Sequence, residues 1–246
     1  MRSFVRWALL PGIILAALGL SACGPATAAS PSSVKLALDW IPNTNHTGIY
    51  VALQQGYYRQ HGLNVTLVPY GSTAPEELVA TGQVQFAISF EESVAILRAQ
   101  NKPLVSVAAI IQHDTSALAV LASSNITRPA QLAGKHFASS GDPAEQAVID
   151  AMERNDGVAH PSYTQGQPQD ASFDVLGHGY DFVWIYAGVE GVQAQDAGTP
   201  LRLFNLNDYG IPDFYSPVLI TSQQEIAQHP DIVRAFVAAT TQGYSL

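Results

Sequence analysis

Five side chains near the start of the chain are of the types that hold a small, flat molecule. They are a carboxylate, an indole, two amides and an imidazole, namely Asp39, Trp40, Asn43, Asn45 and His46. An aromatic face with carboxylate and amide oxygens at the ring edge can recognise a planar ligand rich in amino groups. The same residue types are also typical of an ordinary strand-to-helix loop, in which Asn and Thr occupy turn and cap positions. Both interpretations stay open on the residue types alone.

The flanking sequence places this polar stretch between a strand and a helix. Val34, Leu36 and Leu38 alternate with other residues, as in a strand, and a helical run begins near His46. Farther along, apolar strand-like runs alternate with short helical runs, which predicts mostly parallel sheets with right-handed crossovers. Because such sheets bind ligands at the carboxyl ends of their strands, the stretch from Asp39 lies where a site is expected.

Two segments share one pattern and indicate two similar halves. Val84–Phe90 and Tyr180–Tyr186 each have a glycine just upstream, Phe at the third position, an apolar centre and an aromatic end. We therefore expect an α/β protein of two lobes, each a mostly parallel sheet flanked by helices. The first lobe is predicted from residues 34–116 and 218–246, and the second from residues 117–217.

Several motifs resemble one known family. Residues 39–48, with the sequence Asp-Trp-Ile-Pro-Asn-Thr-Asn-His-Thr-Gly, are similar to the opening motif of the thiamine-precursor (pyrimidine) binding family. That family includes the pyrimidine-binding proteins of bacterial ABC importers and the fungal enzyme that makes the thiamine pyrimidine. The segments Gly56-Tyr57-Tyr58 and Gly62-Leu63-Asn64-Val65 extend the resemblance, which covers about Lys35 to the last residue. It implies a periplasmic-binding-protein-like fold with a ligand cleft between the two lobes. Family members usually continue with further helices on the first lobe, so the chain resembles a fragment or a shortened member.

The first residues resemble the signal of a bacterial lipoprotein. Arg2 and Arg6 precede an apolar run, Trp7–Leu20, that is too short and too interrupted for a convincing membrane span. Leu20-Ser21-Ala22-Cys23 then resembles a lipoprotein box, in which the chain is cut before a lipidated Cys. The alternative is an ordinary secretory signal with an incidental Cys. We expect residues 1–22 to be the signal, Cys23 to be lipidated and residues 23–33 to form a flexible tether.

Composition excludes several function classes. With a single Cys, no intrachain disulfide and no cysteine metal cluster can form. The formal charge of −9 becomes −11 without Arg2 and Arg6, which argues against nucleic acid as a partner. No nucleotide-binding loop or nucleophile elbow occurs, and the seven histidines show no short-range metal spacing. We therefore predict no catalytic residue, no metal and no cofactor.

The predicted ligand-binding residues come from five parts of the chain. They are Asp39, Trp40, Asn43, His46, Glu91, Ser140, Gly141, Tyr186, Glu190 and Tyr215. Trp40 is predicted to supply the aromatic face, and Asp39 is expected to contact the ligand or to hold the turn. Asp142, Pro143 and Glu145 have the spacing of a capped helix start, whose amides either grip a ligand or are already occupied by Asp142. In the family the segment from Trp184 to Glu190 lines the cleft.

The resemblance leaves three functions to compare. The first is a lipid-anchored, monomeric binding protein on the outer face of the cell membrane, which delivers a thiamine pyrimidine precursor to an ABC permease and its ATPase subunits. The second is the enzyme of the same family, which consumes pyridoxal phosphate and a histidine of its own chain. That enzyme carries a cysteine-rich motif for iron, and Cys23, the single Cys here, lies in the signal. The third is a binding protein for another solute, such as a sulfonate, nitrate or riboflavin.

Overall fold

The computed structural model describes residues 30–245, in which strands and helices alternate. The strands are β1 Ser32–Ala37, β2 Leu63–Val68, β3 Phe86–Ser89, β4 Leu104–Ala109, β5 Ser116–Leu121, β6 His136–Ala138, β7 Thr164–Gly166, β8 Phe182–Tyr186, β9 Leu201–Asn205 and β10 Val218–Ser222. The α-helices are α1 Thr47–Gln54, α2 Tyr57–Gln60, α3 Pro75–Ala80, α4 Glu91–Ala99, α5 Glu145–Asn155, α6 Val192–Asp196, α7 Gln223–Gln228 and α8 Pro230–Tyr244.

The strands form two five-stranded sheets of the same design. The first sheet has the order β2-β1-β3-β10-β4 and the second the order β7-β6-β8-β5-β9. In the first sheet β1 is parallel to β2 and β3, while β10 is antiparallel to both its neighbours. In the second sheet β6 is parallel to β7 and β8, while β5 is antiparallel to both its neighbours. One reversed strand therefore occupies the fourth place in each sheet.

The reversed strands are also the ones that carry the chain from one sheet to the other. β5 follows β4 of the first sheet and enters the second, and β10 follows β9 of the second sheet and returns to the first. The two-lobed α/β fold predicted from the sequence has this mixed form. The prediction missed β7, because residues 158–169 are rich in Pro, Gln and Gly.

The predicted N-terminal elements fall largely outside the described residues. The signal at residues 1–22, the lipidation site Cys23 and the tether as far as residue 29 are among them. The tether was predicted to reach residue 33, and this boundary is wrong, because Ser32 and Ser33 pair with β2 as the first residues of β1. Between residues 30 and 245, no helix has both the length and the apolar character needed to cross a bilayer.

Helix α8 holds the polar loop after β1 in place. Phe236 stacks on Phe86 of β3 with ring centroids 3.9 Å apart, so α8 covers the first sheet. A Cβ on Gly48 of α1 would lie 2.3 Å from the ring of Tyr244, so the two helices approach each other too closely for a larger residue. The Tyr244 hydroxyl donates to the carbonyl oxygen of Asn45 at 2.5 Å. The stretch from Asn43 to His46 is thus tied to the core of the first lobe.

Candidate functional site

A cavity of about 350 Å³ lies between the two sheets. Its first wall comes from the loops after β1, β2 and β3, and its second wall from the loops after β6 and β7 and from the end of β8. All these loops leave the carboxyl ends of mutually parallel strands, where α/β sheets bind ligands. Seven of the ten predicted ligand-binding residues line the cavity, namely Asp39, Trp40, Asn43, Ser140, Gly141, Tyr186 and Glu190. Their contact with a ligand stays a prediction.

Asp39 and His46 form a buried pair behind the first wall. His46 Nε2 lies 2.6 Å from Asp39 Oδ1, and the backbone N–H of Asn43 donates to His46 Nδ1 at 3.3 Å. Because Nδ1 accepts a hydrogen bond, the ring proton lies on Nε2 and His46 donates to the carboxylate. The Asn43 side chain also accepts from the Asn45 amide at 2.9 Å, so the turn is closed by its own side chains. Asp39 therefore holds the turn while lining the cavity.

Aromatic rings are present on both walls. On the first wall Trp40 is half-buried and lies 4.7 Å from Tyr70, measured between ring centroids. Phe90 of the first wall packs on Tyr186 of the second with centroids 6.0 Å apart and ring planes 24° apart. The Tyr186 hydroxyl is held 3.2 Å from Ser216 Oγ. A planar ligand can therefore find an aromatic face from either sheet.

Glu145 organises the loop after β6 on the second wall. Its carboxylate accepts hydrogen bonds from the hydroxyl of Ser139 and from both the backbone N–H and the hydroxyl of Ser140. The Ser139 hydroxyl oxygen in turn accepts from the backbone N–H of Gly141 at 3.0 Å. Gly141 has φ +89°, and a Cβ there would lie 2.9 Å from the Gln167 amide, so the position favours glycine. The backbone amides of Ser140 and Gly141 are thus already occupied.

The capping box predicted at Asp142, Pro143 and Glu145 is wrong. Helix α5 begins at Glu145, and Asp142 Oδ1 accepts from the Ala144 amide at 2.7 Å in the turn before it. The Glu145 side chain turns back to the loop after β6 instead of capping the helix. Asp142 Oδ2 accepts from Ser93 of α4 at 2.5 Å, which joins the two lobes across the cavity.

Glu190 projects from a π-helical turn, Ala187–Gly191, that directly follows β8. Its Oε2 accepts from the Tyr186 backbone N–H at 2.9 Å, so the carboxylate closes the turn that carries it. Single π-helical turns are rare and occur frequently at functional sites. The side chain is almost completely buried and lines the cavity, which leaves Oε1 available to a ligand.

Six carboxyl groups line the cavity, and among the described residues no Lys, Arg or His does. They are Asp39, Glu76, Glu92, Asp142, Glu145 and Glu190. Burial is the main cause that raises the pKa of Glu76, Asp142, Glu145 and Glu190 above the ordinary range, and hydrogen bonds from serine hydroxyls or backbone amides partly oppose it. The pKa of Glu92 rises to about 8, again mainly through burial. The site favours cationic or amino-bearing ligands over anions.

The structure places three predicted ligand-binding residues elsewhere. His46 is fully buried behind the wall, with both ring nitrogens engaged. Glu91 Oε2 accepts from the Tyr215 backbone N–H at 2.6 Å, and the Tyr215 side chain is half-exposed outside the cavity. Glu91 and Tyr215 therefore link α4 to the segment that returns to the first sheet, just before Ser216.

Several wall residues were not predicted as ligand contacts. They include Tyr70, Glu76, Glu92, Asp142, Glu145 and Gln167. Most of them share a position in the fold, since they follow a strand that ends at the cavity. That rule would have found Tyr70 and Glu92 from the predicted strands, but not Gln167, since β7 itself was missed.

Comparison with known proteins identifies relatives over most of the chain. A formylaminopyrimidine-binding protein of Halalkalibacterium halodurans is 30% identical over 241 residues, which cover 94% of this chain and 72% of that protein. A 4-amino-5-hydroxymethyl-2-methylpyrimidine phosphate synthase of Legionella pneumophila is 27% identical, over 86% of this chain and 68% of the synthase. Binding proteins and synthases are thus both similar to this chain.

Solved structures show the fold. The alkanesulfonate-binding protein SsuA of Xanthomonas axonopodis pv. citri, bound to MOPS, matches with a TM-score of 0.68 and 15% identity, over 88% of this chain and 74% of that one. At this identity the likeness concerns architecture alone, and it confirms the two-lobed fold of periplasmic binding proteins. The model of NMT1/THI5-like proteins matches residues 43–246. Since that match covers well over half of the sequence, the chain belongs to the NMT1/THI5-like family.

Proposed function

We propose that the chain is a solute-binding lipoprotein of an ABC importer. It binds a thiamine pyrimidine precursor of the hydroxymethylpyrimidine or formylaminopyrimidine type and delivers it to the permease. It is anchored through Cys23 on the extracytoplasmic face of the cell membrane, acts as a monomer and catalyses no reaction. Its two lobes, residues 34–116 with 218–246 and residues 117–217, close on the ligand.

The observation that carries this proposal is the chemistry of the cavity. Carboxyl groups occur on both walls beside aromatic rings, and the described residues contribute no basic side chain. An aminopyrimidine is flat, rich in amino donors and mostly neutral, so it matches an aromatic face bordered by acceptors. Trp40 supplies the face, Glu190 accepts from the amino group, and Asn43 completes the contacts at the ring edge. A sulfonate or nitrate would meet six carboxyl groups and no compensating cation.

The enzymatic alternative fits this cavity less well. A synthase that consumes its own histidine needs an imidazole that reaches the bound substrate. Within residues 30–245 no histidine lines the cavity, and His46 next to it is fully buried between Asp39 and Asn43. These contacts support a role for His46 in holding the turn.

Calorimetric titration of the purified protein tests the proposal. Hydroxymethylpyrimidine and formylaminopyrimidine are expected to bind at micromolar or lower concentration, and an aliphatic sulfonate is not. Riboflavin serves as the matched flat ligand without the aminopyrimidine edge. Binding of riboflavin or sulfonate with no binding of either pyrimidine would overturn the proposal. Formation of a stoichiometric product on addition of pyridoxal phosphate would establish the enzyme instead.

The proposed anchor is tested separately in cells. Cys23→Ser should move the protein from the membrane fraction to the soluble fraction and abolish incorporation of labelled fatty acid, because durable anchoring needs more than one acyl chain attached at this residue. A wild-type protein that incorporates no label would refute lipidation. That result would leave the ligand proposal intact.

A further inference from the structure

Glu92 differs from every other carboxyl group of the cavity in its hydrogen bonding. It is the second residue of α4 and lies on the first wall. Its Oε2 is shielded from solvent and has no hydrogen-bond partner among the described residues. The other five carboxyl groups each accept at least one bond: Asp39 from His46, Glu76 from Ser89, Asp142 from Ser93, Glu145 from Ser140 and Glu190 from Tyr186. A hydrogen bond to a carboxylate favours its ionised form, and Glu92 Oε2 has none.

The acidic groups that face Glu92 also disfavour its ionisation, and the opposing hydrogen bond from its own backbone N–H is smaller than the effect of burial. Asp142 approaches from the loop after β6, Asp114 from the segment before β5, and Glu91 from its own helix. The remaining neighbour is the Tyr186 hydroxyl of β8, whose own pKa is raised well above the ordinary range by burial first and Glu92 second. An ionised Glu92 would therefore be a buried charge among acids without a cation. A protonated carboxyl avoids that cost and becomes a hydrogen-bond donor.

Carboxyl groups on the two walls then have complementary roles, because one on the first wall donates a hydrogen bond and one on the second wall accepts one. We propose that Glu92 is a specificity-determining residue that donates a hydrogen bond from its protonated carboxyl group to an acceptor of the ligand, either a ring nitrogen or a carbonyl oxygen. This inference rests on the proposed function, because it requires a ligand in this cavity. Glu190 on the second wall accepts from the amino group of the ligand, so Glu92 selects molecules that carry an acceptor beside that donor.

Ligand affinity should depend on pH through Glu92. The burial that raises the pKa of Glu92 to about 8 keeps the donor intact at neutral pH. Above that pH the proton is lost, and the contact changes from attraction to repulsion. Affinity should then fall, by up to about tenfold for each further pH unit. A carboxylate that accepted from a cationic ligand would give the opposite trend.

Two variants of the same position separate the chemical roles. Glu92→Gln keeps the shape and an N–H donor but cannot titrate, whereas Glu92→Met keeps the length and has neither donor nor charge. Formylaminopyrimidine and hydroxymethylpyrimidine are titrated into each variant by calorimetry at about pH 7 and about pH 9.5, on either side of the pKa of Glu92. Thermal unfolding of each variant confirms that the fold is retained, which is expected because the substitutions remove a buried group with an unpaired oxygen.

The expected results are distinct. Glu92→Met should weaken binding roughly tenfold or more at about pH 7, and Glu92→Gln should recover most of that loss. The fall in affinity at high pH should be present in the wild-type protein and absent in Glu92→Gln. The inference is overturned if Glu92→Met binds as tightly as the wild-type protein, or if wild-type affinity is flat or rises with pH while Glu92→Gln is weak. A wild-type protein that binds neither pyrimidine at any pH overturns the proposed function as well, so the two failures are distinguishable.

Discussion

The two walls of the cavity hold their carboxyl groups in different ways. On the first wall Asp39 is held by the imidazole of His46, and Glu76 by the hydroxyl of Ser89. On the second wall the carboxylates accept from the backbone of their own loops, as in the pairs Glu145 with Ser140 and Glu190 with Tyr186. A carboxylate bonded to a side chain can be removed with little change in the path of the chain. One bonded to backbone amides also determines the shape of the loop.

The largest effect is therefore expected from Glu145→Ala on the second wall. Three hydrogen bonds are lost, from Ser139 and from the amide and hydroxyl of Ser140. At about 1 kcal/mol each, the free energy of unfolding should fall by about 3 kcal/mol, and the loop should lose its shape and bind ligand more weakly. Glu76→Ala is the matched change on the first wall, because it loses one bond and should cost about 1 kcal/mol.

Urea unfolding of both variants measures this difference. Equal losses of stability in Glu145→Ala and Glu76→Ala would mean that backbone anchoring has no special effect on this wall. A loss of binding in Glu76→Ala larger than that in Glu145→Ala would also contradict this expectation, since it would place the critical carboxylate on the first wall.

The aromatic rings test which wall supplies the face for the ligand. Trp40→Ala should weaken pyrimidine binding by roughly tenfold or more, because stacking on an aromatic side chain contributes about 1–3 kcal/mol. The melting temperature should change little, since Trp40 is a half-buried loop residue. Trp184→Ala is the control on the second wall. Trp184 lies in β8 and packs on the core of the second lobe, so its loss should lower the melting temperature.

Calorimetry with thermal unfolding separates the two aromatic roles. If Trp40→Ala binds like the wild-type protein while Trp184→Ala binds weakly without loss of stability, the face is on the second wall. The assignment of Trp40 would then be wrong.

A site residue can be predicted from the sequence only where its type and its position in the chain determine the role of its side chain. Trp40 and Glu190 were found because they follow predicted strands within a family motif. Glu91 was predicted as a ligand contact, but its neighbour Glu92 is the residue that lines the cavity. The side chains of adjacent helical residues point about 100° apart. An error of one position therefore selects Glu91, which bonds to the backbone of Tyr215, instead of Glu92, which lines the cavity.

His46 shows the same limit. An imidazole in a polar turn is as typical of a ligand contact as of a buried partner for a carboxylate, and only the packing of Tyr244 and α8 decides between them. Glu145 was interpreted as a capping residue because its spacing from Asp142 suits a capping box. Local spacing cannot predict that its side chain instead binds Ser139 and Ser140, whose position depends on the fold of the loop.

Glu190→Gln should have the next largest effect on affinity. The amide oxygen of Gln can still accept from the Tyr186 backbone, so the turn keeps its shape, but the charge is lost. A charge-assisted hydrogen bond to the amino group of the ligand contributes about 1.5–3 kcal/mol, so binding should weaken by about tenfold or more. The melting temperature of the empty protein should stay nearly unchanged. Calorimetric titration that finds wild-type affinity would leave Glu190 with a role in the π-helical turn alone.

The smallest effect on ligand affinity concerns a carboxyl group outside both walls. Glu153 of α5 is completely buried but does not line the cavity. Burial first, and Asp150 second, raises its pKa from 4.5 to about 7. Between these two values the folded protein keeps a proton that the unfolded chain releases, so stability should decrease as pH rises from about 4.5 to about 7 and level off above that. This group contributes a slope of at most about 1.4 kcal/mol per pH unit, because the folded and unfolded states differ by at most one proton at this residue. Glu153→Gln removes the titration. Urea unfolding at about pH 5 and about pH 7 should therefore show that the variant gains stability relative to the wild-type protein as pH rises. A difference that is the same at both pH values would mean that Glu153 is ionised in the folded protein.

Pyrimidine affinity should be the same in the Glu153→Gln variant and in the wild-type protein at either pH. This result would differ from that expected for Glu92, because Glu92 lines the cavity and Glu153 does not.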